Sequence, residues 1–195
     1  MRNTKVICFS PAKSFSIGTT LVLIMLVLVA ATTSARAQNV SVPGNASGCF
    51  GNGDAGCVPL VAALTVSGPG TITVTYVSGT VNWGGGDAGP NGVPVCFPTW
   101  QQPLQEAQGV SRECIKNAAA LIGVFVPQSR TSRKGFNALD GTKNITLFGI
   151  LPGNLFFIGT SKTFSVSEAG TLFLGINDSG VNDNSGSFNV TVTGP

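Results

Sequence analysis

From Val58 onward, short apolar stretches alternate with Gly-rich turns. Ile72, Val74 and Tyr76 alternate with Thr71, Thr73 and Thr75, the period-two pattern of a strand with one buried face. The same reading predicts strands near 79–83, 119–126, 145–151, 155–158, 162–166, 171–177 and 187–193. In the last of these, Phe188, Val190 and Val192 alternate with Asn189, Thr191 and Thr193. Many short strands at close spacing predict an all-β sandwich or barrel. Only 103–116 holds plausible helix formers, so one short helix at most is expected. Residues 84–94 are a Gly/Pro/Asn/Asp loop. Residues 38–57, rich in Asn, Ser, Gly and Pro, are expected to be an extended or loosely ordered lead-in to a domain spanning 58–195.

The start of the chain follows a different pattern. Arg2, Lys5 and Lys13 precede an apolar run from Leu21 to Ala31, and Ala35-Arg36-Ala37 places small residues where a signal peptidase reads. Residues 1–37 are therefore expected to be a signal peptide, with the mature chain beginning near Gln38. At 1.5 Å per residue the apolar run is too short to span about 30 Å of hydrocarbon comfortably, so no membrane span is expected after cleavage. This predicts a secreted protein: periplasmic, extracellular or on the cell surface.

Cleavage changes the charge. The whole chain has 11 basic and 8 acidic residues. Four of the basic residues and none of the acids lie in the leader, so the mature chain is close to neutral. No basic stripe is present, and no nucleic-acid partner is expected. The absence of histidine excludes serine triads, Cys-His pairs and His-ligated zinc. Glu106 and Glu113, seven apart, would share a helix face, but two solvated acids without a partner base do not make an enzyme. Cys49, Cys57, Cys96 and Cys114 form an even set in an exported chain and predict disulfides. Of the three connectivities, the sequence-local pairs Cys49–Cys57 and Cys96–Cys114 are favoured. Zinc held by four thiolates is the alternative, although paired C-x-x-C spacing is lacking.

The stretch richest in candidate chemistry runs from Gly175 to Phe188. Asn177, Asp178, Asn182, Asp183 and Asn184 place five side-chain oxygen donors in eight residues, between two predicted strands. Hard cations such as Ca2+ take six to eight oxygens at about 2.3–2.6 Å, and such a loop supplies several. The EF-hand spacing is absent, and ordinary hairpin turns share the same Asp/Asn/Gly/Ser density.

The segments Ala119-Ala120-Leu121-Ile122-Gly123, Phe157-Ile158-Gly159, Gly170-Thr171-Leu172-Phe173-Leu174-Gly175-Ile176-Asn177-Asp178 and Asp183-Asn184-Ser185-Gly186-Ser187-Phe188-Asn189-Val190 resemble the PA-IL-like, galactose-binding bacterial lectins. The resemblance covers roughly residues 70–193. It implies a jelly-roll-like β-sandwich with one Ca2+ that bridges to two vicinal sugar hydroxyls. Asp178 matches the family's carboxylate ligand, and Asp183 and Asn184 match its consecutive asparagines. Val181 or Asn182 stands near a backbone-carbonyl ligand, and Trp83 stands where an aromatic residue contributes its carbonyl. The implied metal set is Asp178, Asn182, Asp183, Asn184 and Trp83; the implied sugar contacts are Asp178, Asp183 and Trp83. Two departures stand out. The 178–184 loop is shorter than in that family, and residues 87–92 lack its sugar-contacting histidine and glutamine. The expectation is a secreted, non-catalytic, calcium-dependent protein that binds a glycan or polysaccharide, with the oligomeric state left open. The alternative is a structural or adhesive cell-surface sandwich without a ligand site.

Overall fold

The strands in chain order are β1 (Arg36–Pro43), β2 (Val61–Val66), β3 (Gly70–Asn82), β4 (Asp87–Ala88), β5 (Val93–Val95), β6 (Ile115–Ala118), β7 (Leu121–Pro127), β8 (Leu155–Phe157), β9 (Ser161–Val166), β10 (Gly170–Ile176) and β11 (Ser185–Gly194). They come from a computed structural model that describes residues 36–47, 58–96, 115–131 and 155–195. All of these lie within one unit, Thr33–Pro195. The only helical pieces among them are a single turn at Gln128–Thr131 and a 3-10 turn at Val181–Asp183. No described helix is long and apolar enough to cross a membrane. Residues 1–35 of the expected leader, the 145–151 strand, and both Glu106 and Glu113 lie outside the described residues.

Two antiparallel sheets share one core, which makes the domain an all-β sandwich. The first has the order β1-β11-β3-β4, with β9 also pairing β3. β3 is long enough to serve two neighbours on one side, β9 along its first half and β4 at its last two residues. The second sheet has the order β2-β10-β7-β8, and β5 and β6 form a separate ribbon. The inward residues of β3 and β11 (Ile72, Val74, Phe188, Val190, Val192) meet Leu64 and Val66 of β2 and Leu172, Leu174 and Ile176 of β10 in one cluster. Each such side chain contributes about 1.5–3 kcal/mol by leaving water.

The outer faces of the two sheets differ. On the first sheet the outward positions of β3, β9 and β11 are Thr, Ser and Asn, apart from Val77 at a bulge. On the second, Ile122, Val124 and Val126 alternate with the core-facing residues of β7, and all three are fully buried. Their sequence is accordingly a continuous apolar run rather than an alternating one, the mark of a strand covered on both faces.

Three differences from the sequence reading have physical causes. The strands expected at 72–76 and 79–83 are one strand. The break in alternation between them is a bulge: Asn189 pairs with Ser78 and Val190 with Tyr76, which leaves Val77 unpaired and 60% exposed. The Tyr76 hydroxyl donates to the Gly79 carbonyl at 2.7 Å across the bulge. Lys116, at the end of the helix-forming stretch, belongs to β6. Finally, the lead-in expected to be extended or loose starts as a sheet strand. β1 pairs residue for residue with β11, from Arg36↔Gly194 to Pro43↔Ser187. Only Val40 and Val42 turn inward, too few apolar residues for composition to reveal a strand. β1 also begins at Arg36, so cleavage after Ala37 would leave it six residues, Gln38 to Pro43.

Candidate functional site

The oxygen-rich segment is the connection from β10 to β11, at the end of the sandwich where β3 turns into β4. Its place follows from register. Ser185 pairs with Asn82, so the residues just before Ser185 and just after Asn82 leave the sheet side by side. Asp183 and Trp83-Gly84, a hundred residues apart in sequence, are thereby brought together.

The turn after β3 is internally braced. Asn82 donates its side-chain amide to the Asp87 carboxylate at 3.0 Å and accepts the Gly84 N–H on its own side-chain oxygen at 3.1 Å. The Trp83 N–H donates to the Gly86 carbonyl at 3.1 Å. Gly84 has φ +82, and a Cβ built on it would lie 2.6 Å from Asp183 Cγ and closer still to Oδ2. The Asp183 carboxylate therefore sits directly on the bare backbone of Gly84, a seat that only glycine provides. The Trp83 indole lies across Gly85, where a Cβ would come 2.5 Å from Cζ2 and Cη2. Trp83 is half-buried and packs against the core, so it forms a wall of the site and is not a free platform.

Both ends of the 177–184 loop are fastened. Asn177 is fully buried. Its N–H donates to the Ala120 carbonyl at 2.8 Å, its carbonyl accepts from the Ala119 N–H at 2.9 Å, and its side-chain amide donates to the Asn117 carbonyl at 2.9 Å. Ala119 takes φ 58 to make this turn. The short segment after β1 also holds both ends. The Ala46 carbonyl accepts from Ile176 N–H at 2.8 Å, and the Gly44 carbonyl accepts from Asn184 Nδ2 at 2.8 Å. The N-terminal segment thus shapes the site, a role hidden in the sequence because backbone atoms carry it.

The predicted residues fall into two environments. Asp178 is buried at 4% exposure, and its Oδ1 accepts the Gly180 N–H at 3.1 Å. Asn182 and Asp183 are exposed on the 3-10 turn, and Asn184 is half-buried. The Val181 carbonyl, a candidate ligand, already accepts the Asn184 N–H at 3.2 Å. Asn184 Oδ1 is a buried acceptor without a hydrogen-bond donor, as is the hydroxyl of Ser47, itself 1% exposed. The bond from Nδ2 to Gly44 fixes which side-chain atom of Asn184 is the oxygen, since a flipped amide would set two oxygens against each other. Among the described residues, no three His, Cys, Asp or Glu side chains gather into a metal-binding group. A cation here would therefore rest on a mixed set of carboxylate, amide and backbone oxygens, the donor chemistry of Ca2+. Cys96, after β5, is disulfide-bonded; Cys49, Cys57 and Cys114 lie outside the described residues.

Neither the family models nor the curated proteins give a match to this chain.

Proposed function

We propose that this is an exported, non-catalytic carbohydrate-binding protein whose site is the loop end formed by residues 82–87 and 177–185, and which uses a divalent cation, Ca2+ by its donor chemistry. The observation that carries the reading is Asn184 Oδ1: a buried carbonyl oxygen with a fixed orientation and no donor, immediately after Asp183. Leaving such an acceptor unsatisfied costs about 1–3 kcal/mol, and a bound cation removes that cost. Asp178, Asp183 and Asn184 would hold the ion, joined by Asn182, on a loop whose two ends are fixed by hydrogen bonds. When bound, Ca2+ offers coordination positions that two neighbouring sugar hydroxyls can fill. Asp183 orients the hydroxyls from its seat on Gly84, and Trp83 bounds the apolar side of the ring. The likeness to PA-IL-like lectins and their jelly-roll sandwich supports the same reading. The Asp87–Gly92 stretch lacks the histidine and glutamine of that family, so a preference for galactose is weak or altered. A glycan array with the mature protein, in calcium and in chelator, tests it. Calcium-dependent retention of a glycan is expected; no retention in either condition leaves a scaffold without a ligand site.

A further inference from the structure

The outer face of the first sheet carries ordered ranks of small hydroxyl and amide side chains. By register, one rank runs Ser161, Thr75, Thr191, Asn39 across four strands, and the next runs Thr163, Thr73, Thr193. Cross-strand hydrogen bonds hold them: Thr73 Oγ1 to Thr163 Oγ1 at 2.9 Å, Thr191 Oγ1 donating to Asn39 Oδ1 at 2.8 Å, and Asn189 Nδ2 donating to Ser78 Oγ at 3.3 Å. From Thr71 to Thr80 no outward residue of β3, or of its partners β9 and β11, is charged. Most of these residues are exposed, with Thr73, Thr191 and Thr193 half-covered by their neighbours in the ranks. The neutral face is roughly 30 Å long at about 3.3 Å per residue.

The face also leads somewhere. Its last rank, Thr80 with Ser187, lies two residues from the pair Asn82 and Ser185 where the loop site begins. We propose that this face is an extended subsite along which a neutral polysaccharide lies once one of its sugars is engaged at the loop, so that the ligand is a polymer chain rather than a lone terminal sugar. This rests on the carbohydrate-binding reading of the loop. Three features support the choice of occupant: no charge, hydroxyls and amides that both donate and accept, and direct continuity with the site. The twist of a sheet, about 20–25° between adjacent strands, suits a single flexible chain better than a planar crystal surface.

The test uses the full mature chain in calcium, with affinity electrophoresis in galactomannan, xyloglucan and mixed-linkage β-glucan, polygalacturonate as the charged control, and free galactose and glucose as competitors. Wild type should be retarded by at least one neutral polymer at concentrations ten-fold or more below those at which free sugars compete, and not by polygalacturonate. Thr75→Glu with Thr191→Glu should weaken polymer binding ten-fold or more while leaving free-sugar competition for the residual binding within error of wild type; because the two carboxylates face each other and the Thr191–Asn39 bond is lost, its melting temperature should fall. Thr75→Val with Thr191→Val, which keeps shape and neutrality but loses hydroxyls, should weaken it several-fold, so the inference is tested even if the charged variant folds poorly. Polymer binding abolished by Asp183→Ala but untouched by both face variants overturns the inference and leaves the loop reading standing. Equal affinity for polymer and free sugar does the same. Absence of binding to every neutral probe overturns both.

Discussion

The carboxylate of Asp183 rests on the α-carbon of Gly84, one loop closing on the other because β11 and β3 pair at Ser185 and Asn82. Both residues are needed for this contact: one supplies charge and the other the absence of a side chain. Gly84→Ala should therefore cost about 1–3 kcal/mol from its left-handed backbone, and should also displace Asp183. Gly86→Ala is the control, since Gly86 has φ +131 but nothing within 4 Å of the added methyl. Urea denaturation should show both variants destabilised. A calcium-dependent rise in melting temperature should survive in Gly86→Ala and be lost or much reduced in Gly84→Ala.

Asn184→Ala separates the structural use of this residue from its proposed use as a ligand. Loss of the bond leaves the buried Gly44 carbonyl without this donor, at about 1–3 kcal/mol, partly offset because the buried unsatisfied oxygen of Asn184 also disappears. In chelator the variant should melt within a few degrees of wild type. In calcium the gap should widen, because only wild type gains stability from the ion.

Asn177→Ala should behave in the opposite way. Its amide donates to the Asn117 carbonyl at the base of the loop, which also accepts the Ala120 N–H, so removing it loses one hydrogen bond, at about 0.5–1.5 kcal/mol. The cost belongs to the fold, so denaturation should show it equally in calcium and in chelator.

The strand pattern was legible where one face of a strand is wet. Ile72-Thr73-Val74-Thr75 and Phe188-Asn189-Val190-Thr191 alternate because the first sheet has a polar outer face, and both are strands as expected. The bulge at Val77 was hidden because a one-residue slip looks like the end of one strand and the start of another. β1 was hidden because an edge strand needs only two inward apolar residues, Val40 and Val42. At the site, the density of Asp and Asn was visible, but not its division into buried Asp178 and exposed Asp183. Nor could spacing show that Gly84 and the Gly44 carbonyl, which contribute backbone alone, fix where the side chains point.

Processing and redox state are checked together by intact-mass analysis of exported material. The chain should begin at Gln38, leaving Gln38 to Pro43 paired with Val192 to Ser187, and should carry no free thiol, with Cys49–Cys57 and Cys96–Cys114 joined. Reduction should lower stability by about 2–5 kcal/mol if the bonds are structural. Four alkylatable thiols in native protein would contradict this.

The most direct test of the central claim is a calcium titration of the purified mature chain, followed by the melting temperature of wild type and Asp178→Ala. A ligand that binds only the folded state stabilises it by about 2.7 kcal/mol at a hundred times its dissociation constant. That is a shift of several degrees for a domain of this size. The account predicts such a rise in wild type and none in Asp178→Ala. Identical melting of wild type in excess calcium and in chelator would contradict it.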